Sequence, residues 1–262
     1  MSPSRRRLLQ ALVAALVLIT VAVALPRLTG RGSGSIAPVR QDRPGRVLLV
    51  PGYGGSPGSL AALAAALRAD GREVVVVALP GDGTGDLRQD ARAVRAAAAG
   101  ASSVDVVGYS AGGVAARYWV RSLGGDRVAR RIVTLGAPQH GTAVASLGAT
   151  FASGACPVAC QQLVPGSPLL NALNDGDETP RGPQWLSLWT AQDDTVTPPS
   201  SARLAGAVNV VLQDVCPGEQ IGHGDLPTTP LVIGIVREAL GVAPLRRPTG
   251  CAALKAAGGV SS

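Results

Sequence analysis

Short, wholly apolar runs recur along the chain, separated by alanine-rich amphipathic stretches. Val47-Leu48-Leu49-Val50, Val74 to Leu79, Val104 to Val107, Arg131 to Leu135, Trp185 to Thr190 and Ala207 to Leu212 predict six strands. Most of these runs lack polar alternation, the mark of strands buried on both faces, and such strands belong in a parallel sheet covered by helices. Leu60 to Ala69, Asp86 to Ala99, Gly112 to Leu123 and Thr229 to Leu240 predict helices. The alternation predicts an α/β fold with a mostly parallel central sheet of about six strands flanked by helices. The rhythm breaks between the fourth and fifth strands. Residues Gln139 to Pro183 are too many for an ordinary connection, and they predict an insertion over one end of the sheet. No internal repeat is visible.

The first 25 residues follow a different pattern. Arg5, Arg6 and Arg7 precede an almost unbroken apolar run from Leu8 to Leu25, which ends near Ala22-Val23-Ala24. A basic start, an apolar middle and small residues before a cut are the parts of a secretory signal. Ser4-Arg5-Arg6-Arg7-Leu8-Leu9-Gln10 is also similar to a twin-arginine signal, with Leu in place of the usual Phe. A run of about 18–20 residues also suffices for one membrane helix, so an anchor is the alternative. Either way the remainder is expected outside the cytosol. Residues 26–45, rich in Gly, Ser, Pro and Arg, read as a linker, and residues 46–262 as the folded domain.

Charge changes this picture little. The chain carries 24 Lys+Arg against 17 Asp+Glu, a net +7. Residues 1–24 hold three Arg and no acid, so the body is nearer +4. Lysine occurs once, at Lys255, and aromatics make up only 3% of the chain, too few for base-stacking platforms. No nucleic-acid partner is expected. Cysteine is more telling. Cys156, Cys160, Cys216 and Cys251 are an even set in a chain expected to be exported, which predicts two disulfides in one of three pairings. Local pairing, Cys156–Cys160 and Cys216–Cys251, is favoured. With only two histidines and no paired C-x2-C spacing, no metal is expected.

The candidate chemistry begins at Gly108-Tyr109-Ser110-Ala111-Gly112, between a predicted strand and a predicted helix. In that setting the pentapeptide forms a sharp turn that pushes Ser110 outward at the carboxyl end of the sheet. Side chains two residues to either side would collide, so glycine is needed at both. A serine hydroxyl needs a base. His223, in Ile221-Gly222-His223-Gly224 after the sixth strand, is placed to reach it. His140 follows the fourth strand too early for an acid to stand between it and Ser110, and reads mainly as structural. The acid should follow the fifth strand, where Asp193 and Asp194 are adjacent. An oxyanion would be held by two backbone N–H groups. One is that of Ala111, and the other comes from Gly52-Tyr53-Gly54-Gly55, with Tyr53 the choice.

These residues together resemble the α/β-hydrolase superfamily, and within it the small secreted bacterial lipases and esterases. The resemblance spans about Val47 to Leu240. It rests on Val50-Pro51-Gly52-Tyr53-Gly54-Gly55, Val107 to Gly113, Leu135-Gly136-Ala137-Pro138-Gln139-His140-Gly141-Thr142, and the acid and histidine loops. Pro51 stands where many relatives have His. The C-terminal part is similar to the fungal lipase B group, where the acid is followed three residues later by Val and five later by Pro. Asp193, with Val196 and Pro198, fits that pattern and is preferred to Asp194. In that group a cysteine after the sixth strand pairs with one in the tail, as Cys216 and Cys251 would. The resemblance implies an α/β-hydrolase fold and a serine hydrolase acting on carboxylic esters, triacylglycerols or other lipid-like or small esters, through Ser110, Asp193 and His223, with no cofactor. An acyltransferase using the same residues is the alternative, and a non-catalytic membrane-attached module a more distant one. Gln139 to Pro183 would shape the acyl pocket and is a candidate lid. Membrane association is expected only through the N-terminal segment, and a monomer is favoured.

Overall fold

The computed structural model describes residues 38–151 and 156–259. Residues 1–25, expected to be a signal or anchor, lie outside the described residues. Among the described residues, no helix is long and apolar enough to cross a membrane.

Six parallel strands form one sheet. They are β1 (Arg46–Val50), β2 (Val74–Val76), β3 (Val104–Tyr109), β4 (Ala129–Leu135), β5 (Gln184–Trp189) and β6 (Val208–Val211), in the order β2-β1-β3-β4-β5-β6. Every neighbouring pair is parallel, as the unalternating apolar runs predict. Successive residues of a strand feed opposite faces. Val47, Leu49, Val107 and Leu188 pack with helices α1 (Ala61–Ala69), α8 (Pro230–Ala239) and α9 (Cys251–Gly258). Leu48, Val50, Val106 and Ile132 pack with α2 (Leu87–Ala97) and α3 (Ala111–Ser122) on the other face. Each fully buried Leu, Val or Ile contributes roughly 1.5–3 kcal/mol, so the two layers dominate stability.

Some element bounds differ from expectation for identifiable reasons. The second strand stops at Val76 instead of Leu79. Pro80 lacks an N–H and restricts the residue before it, and the chain turns there. The fourth strand starts two residues earlier than expected, at Ala129. Arg130 extends the strand beyond its apolar run, and it and Arg131 are both fully buried. Asp105 on β3 receives Nε and Nη2 of Arg130 at 2.8 and 2.7 Å and Nη2 of Arg72 at 2.6 Å. Arg130 and Arg131 also donate to the carbonyls of Leu240 and Ala239, which close the end of α8. This polar cluster sits at the amino ends of the strands. It also holds the last part of the expected linker, because Arg130 Nη1 donates to the Gln41 carbonyl (2.8 Å) and Gln41 Nε2 to the Arg130 carbonyl (3.2 Å).

Residues 139–183, expected as an insertion, carry three helices: α4 (Ala143–Phe151), α5 (Val158–Gln162) and α6 (Pro168–Asn174). A four-residue helix, α7 (Leu212–Val215), follows β6. Disulfides join Cys156 to Cys160 and Cys216 to Cys251. The first links the approach to α5 with its middle, and the second ties α9 to the segment after β6.

Candidate active site

Three loops meet at the carboxyl ends of β3, β5 and β6. Register sets their level: Tyr109 lies beside Leu135, Leu135 beside Leu188, and Leu188 beside Val210. The chain turns sharply after Tyr109. Ser110 has φ +51° and ψ −127°, and it is the one non-glycine with positive φ among the described residues. Such a conformation costs of order 1–3 kcal/mol and persists only where the surroundings impose it. The flanking glycines show how tight the turn is. A Cβ at Gly108 would lie 2.6 Å from Gly113 Cα, and one at Gly112 would lie 2.3 Å from the Pro51 carbonyl oxygen. The turn directs Ser110 Oγ toward the histidine loop.

His223 Nε2 lies 3.0 Å from Ser110 Oγ, and His223 Nδ1 lies 2.7 Å from Asp193 Oδ2. Asp193 is fully enclosed, and its other oxygen accepts from the N–H groups of Thr195 (3.0 Å) and Val196 (2.7 Å). A carboxylate so bonded can only accept from the imidazole, which leaves Nε2 free to accept the serine proton. Asp194 points outward, where Thr195 Oγ1 donates to it. Adjacent side chains diverge, so the structure brings only Asp193 to His223.

The histidine loop is fastened on several sides. Thr190 Oγ1 donates to the Ile221 carbonyl (2.7 Å), and the Ile221 N–H donates to Gln192 Oε1 (2.9 Å). Asp225 accepts from the Gly222 N–H at 3.0 Å. The Tyr109 ring stacks at a tilt on the His223 ring with centroids 5.2 Å apart, and its hydroxyl donates to the His223 carbonyl at 3.2 Å. Burial, with the nearby Asp193 and Asp225 carboxylates, pushes the Tyr109 phenol up to about 12, so it stays a donor at neutral pH.

The N–H groups of Tyr53 and Ala111 have no hydrogen-bond acceptor among the described residues. Ala111 opens α3, whose first N–H groups are necessarily without intrahelical partners. Tyr53 and Ser110 border a cavity of about 260 Å³, which residues of α4 and α5 and Val196 also line. His140 is elsewhere, with its ring between Glu178 Oε1 (2.8 Å) and the Ser201 carbonyl (3.2 Å). It ties the insertion to the segment after the acid loop.

A model described as the alpha/beta hydrolase family matches residues 47–251. The chain belongs to the alpha/beta hydrolase family. Among solved structures, lipase B of Aspergillus fumigatus is similar at 20% identity and TM-score 0.65, over 86% of this chain and 58% of that one. The mature form of the Bacillus licheniformis lipase BlEst2 is similar at 18% identity and TM-score 0.58, over 79% of this chain and 95% of that one. At such identities the likeness is one of fold. The chain thus spans somewhat over half the length of the fungal lipase. No curated protein matches the sequence.

In this alpha/beta hydrolase the residues that hold the insertion lie outside the motifs that mark the site. Arg117 on α3 is fully buried, with Nε on the Glu178 carbonyl (2.8 Å), Nη1 on Asn174 Oδ1 (2.7 Å) and Nη2 on the Leu173 carbonyl (2.7 Å). Burial brings its guanidinium down to about 10. One turn on, Arg121 reaches the carbonyls of Asp175 and Asp177. On the other flank, Gln162 accepts from the Leu87 N–H (2.8 Å) and donates to Asp86 (2.6 Å) at the start of α2. The one signal was a charge at position 117 inside the apolar stretch Val114 to Val120.

Proposed function

We propose that the protein is an exported serine hydrolase of carboxylic esters. The observation that carries this reading is the continuous chain from Asp193 through His223 to Ser110, with links of 2.7 and 3.0 Å beside a cavity. In the reaction, Ser110 Oγ attacks the ester carbonyl carbon while His223 Nε2 takes its proton. The carbonyl oxygen becomes an anion, which the N–H groups of Tyr53 and Ala111 receive. Collapse expels the alcohol, protonated by His223 Nε2. Water, deprotonated by the same nitrogen, then attacks the acyl-serine, and the acyl–Oγ bond breaks as His223 returns the proton to Ser110 and the acid leaves. Asp193 holds the imidazole in the required tautomer and stabilises its charged form. Residues 139–183 form the cap that walls the acyl pocket. Two disulfides support export, since such bonds persist in oxidising compartments. The N-terminal segment would then serve as signal or anchor.

The test is hydrolysis of p-nitrophenyl butyrate together with labelling by a fluorophosphonate probe. Wild-type protein should do both, and Ser110→Ala and His223→Ala neither. Full activity in purified Ser110→Ala would sink the proposal.

A further inference from the structure

The cavity beside Ser110 lies to one side of the serine. It is bordered by Ser110 and Tyr53, the residues that would fix the carbonyl, but not by His223. A leaving alcohol takes its proton from His223 Nε2 and must depart past that ring. The cavity therefore receives the other arm of the ester, the acyl chain. An engineered apolar cavity of about 150 Å³ holds benzene, which is roughly 25 Å³ per carbon. By that measure about 260 Å³ holds on the order of ten carbons. The volume is also below the ~300–1,000 Å³ usual for pockets enclosing drug-sized ligands.

The depth depends on two small residues. Ala145 and Gly148 lie three apart on α4, on one face of the helix, and both border the cavity. Behind Gly148 stands the Cys156–Cys160 bridge: a Cβ at position 148 would lie 3.4 Å from Cys160 Sγ and 3.9 Å from Cys156 Sγ, ordinary contact distances. The bridge thus backs the wall, and a side chain larger than Ala at 148 must turn into the space.

We infer that the cavity takes about the first ten carbons of an ester's acyl chain, beyond which added carbons bring no further gain, and that Ala145 and Gly148 set this limit. The inference rests on the proposed ester hydrolysis at Ser110. At 25 Å³ per carbon, Gly148→Leu removes about 100 Å³ and Ala145→Leu about 75 Å³, leaving room for roughly six or seven carbons.

The experiment is a series of p-nitrophenyl esters from acetate to palmitate, each below its solubility limit, on the full chain and both variants. For the wild type, kcat/KM should rise with chain length, by up to about fourfold per buried methylene, and level off or fall between eight and ten carbons. In Gly148→Leu and Ala145→Leu, decanoate should lose at least about tenfold, while acetate and fluorophosphonate labelling stay within about twofold. A wild-type profile that climbs to palmitate, or profiles unchanged in both variants, would overturn the inference alone. No hydrolysis at any chain length, with no labelling, would overturn the ester reading and this inference with it.

Discussion

Asp193→Asn separates the fold of the acid loop from its chemistry. In the wild type, Oδ1 accepts two N–H bonds, from Thr195 at 3.0 Å and Val196 at 2.7 Å, while Oδ2 faces His223 Nδ1 at 2.7 Å. Asparagine has the same shape but a single acceptor oxygen. The two loop N–H groups claim that oxygen, because a buried donor without an acceptor costs about 1–3 kcal/mol. The amide NH2 then faces His223 Nδ1 and forces it to become an acceptor. The ring proton moves to Nε2, which meets Ser110 Oγ at 3.0 Å with a hydrogen in place of a lone pair. The base is lost although nothing has moved. A wrong tautomer of this kind costs about 10⁴ in kcat, or roughly 5.5 kcal/mol of transition-state stabilisation. The assay is steady-state hydrolysis of p-nitrophenyl butyrate at pH 7.5, paired with a thermal melt. The melt should stay within about 4 °C of wild type, since both loop bonds survive. Asp194→Asn, on the exposed neighbour, should keep activity within about twofold. If Asp193→Asn retained more than a tenth of wild-type activity, or Asp194→Asn lost as much, the assignment of the acid would be refuted.

Other perturbations probe the frame around the site. Arg117→Met leaves the carbonyls of Leu173 and Glu178 and the amide oxygen of Asn174 without their buried donor. Each buried acceptor left without its donor costs about 1–3 kcal/mol, so the three together cost at least about 3 kcal/mol, which lowers Tm by at least roughly 6 °C at this size, readable by calorimetry. Asp90 is buried on α2, and burial with the neighbouring Asp86 raises its carboxyl from 3.8 to about 6. The folded state therefore binds more protons than the unfolded one between about pH 4 and 6, so Asp90 costs stability as pH rises through that window. Asp90→Asn should stabilise by on the order of 2–3 kcal/mol at pH 7.5 and by nothing below about pH 4, as urea melts at the two pH values would show. Removing Cys216–Cys251, which spans 35 residues, should cost about 4 kcal/mol by loop entropy. Removing Cys156–Cys160, which spans four, should cost about 2 kcal/mol, and equal losses would contradict that account.

Sheet, helices and the three polar side chains at the strand ends were legible because each is written locally. An unbroken apolar run means a strand covered on both faces, and Gly-x-Ser-x-Gly after such a run means a turn whose geometry leaves few options. The choice between Asp193 and Asp194 was not local. It depended on a family pattern, and the structure brings Asp193 to His223 because Thr195 and Val196 wrap its other oxygen. What escaped was long-range polar pairing. Nothing near Arg130 in sequence announces Asp105 on the adjacent strand, and nothing near Arg117 announces the carbonyls of α6. Buried charges are legible only with their partners, and here the partners are 25 and 56 residues away. The helices of the insertion and tail escaped for another reason. Cys251 to Gly258 is mostly alanine and shows little apolar periodicity, so its helix is held by packing on α8 and by Cys216.

The clasp between Gln41 and Arg130 fixes where the chain enters the body. It enters at the amino ends of the strands, while Ser110 opens at the carboxyl ends. The last described residues instead lie beside the start of α8, just after the histidine loop, with Gly258 packed against Pro230. The two termini of the body are therefore unequal handles. A support or fusion partner coupled on the amino-terminal side joins the body at the strand ends opposite Ser110, and one coupled after residue 259 joins it close to the start of α8. For an immobilised catalyst the orientation is set by which end is grafted, before any linker is chosen.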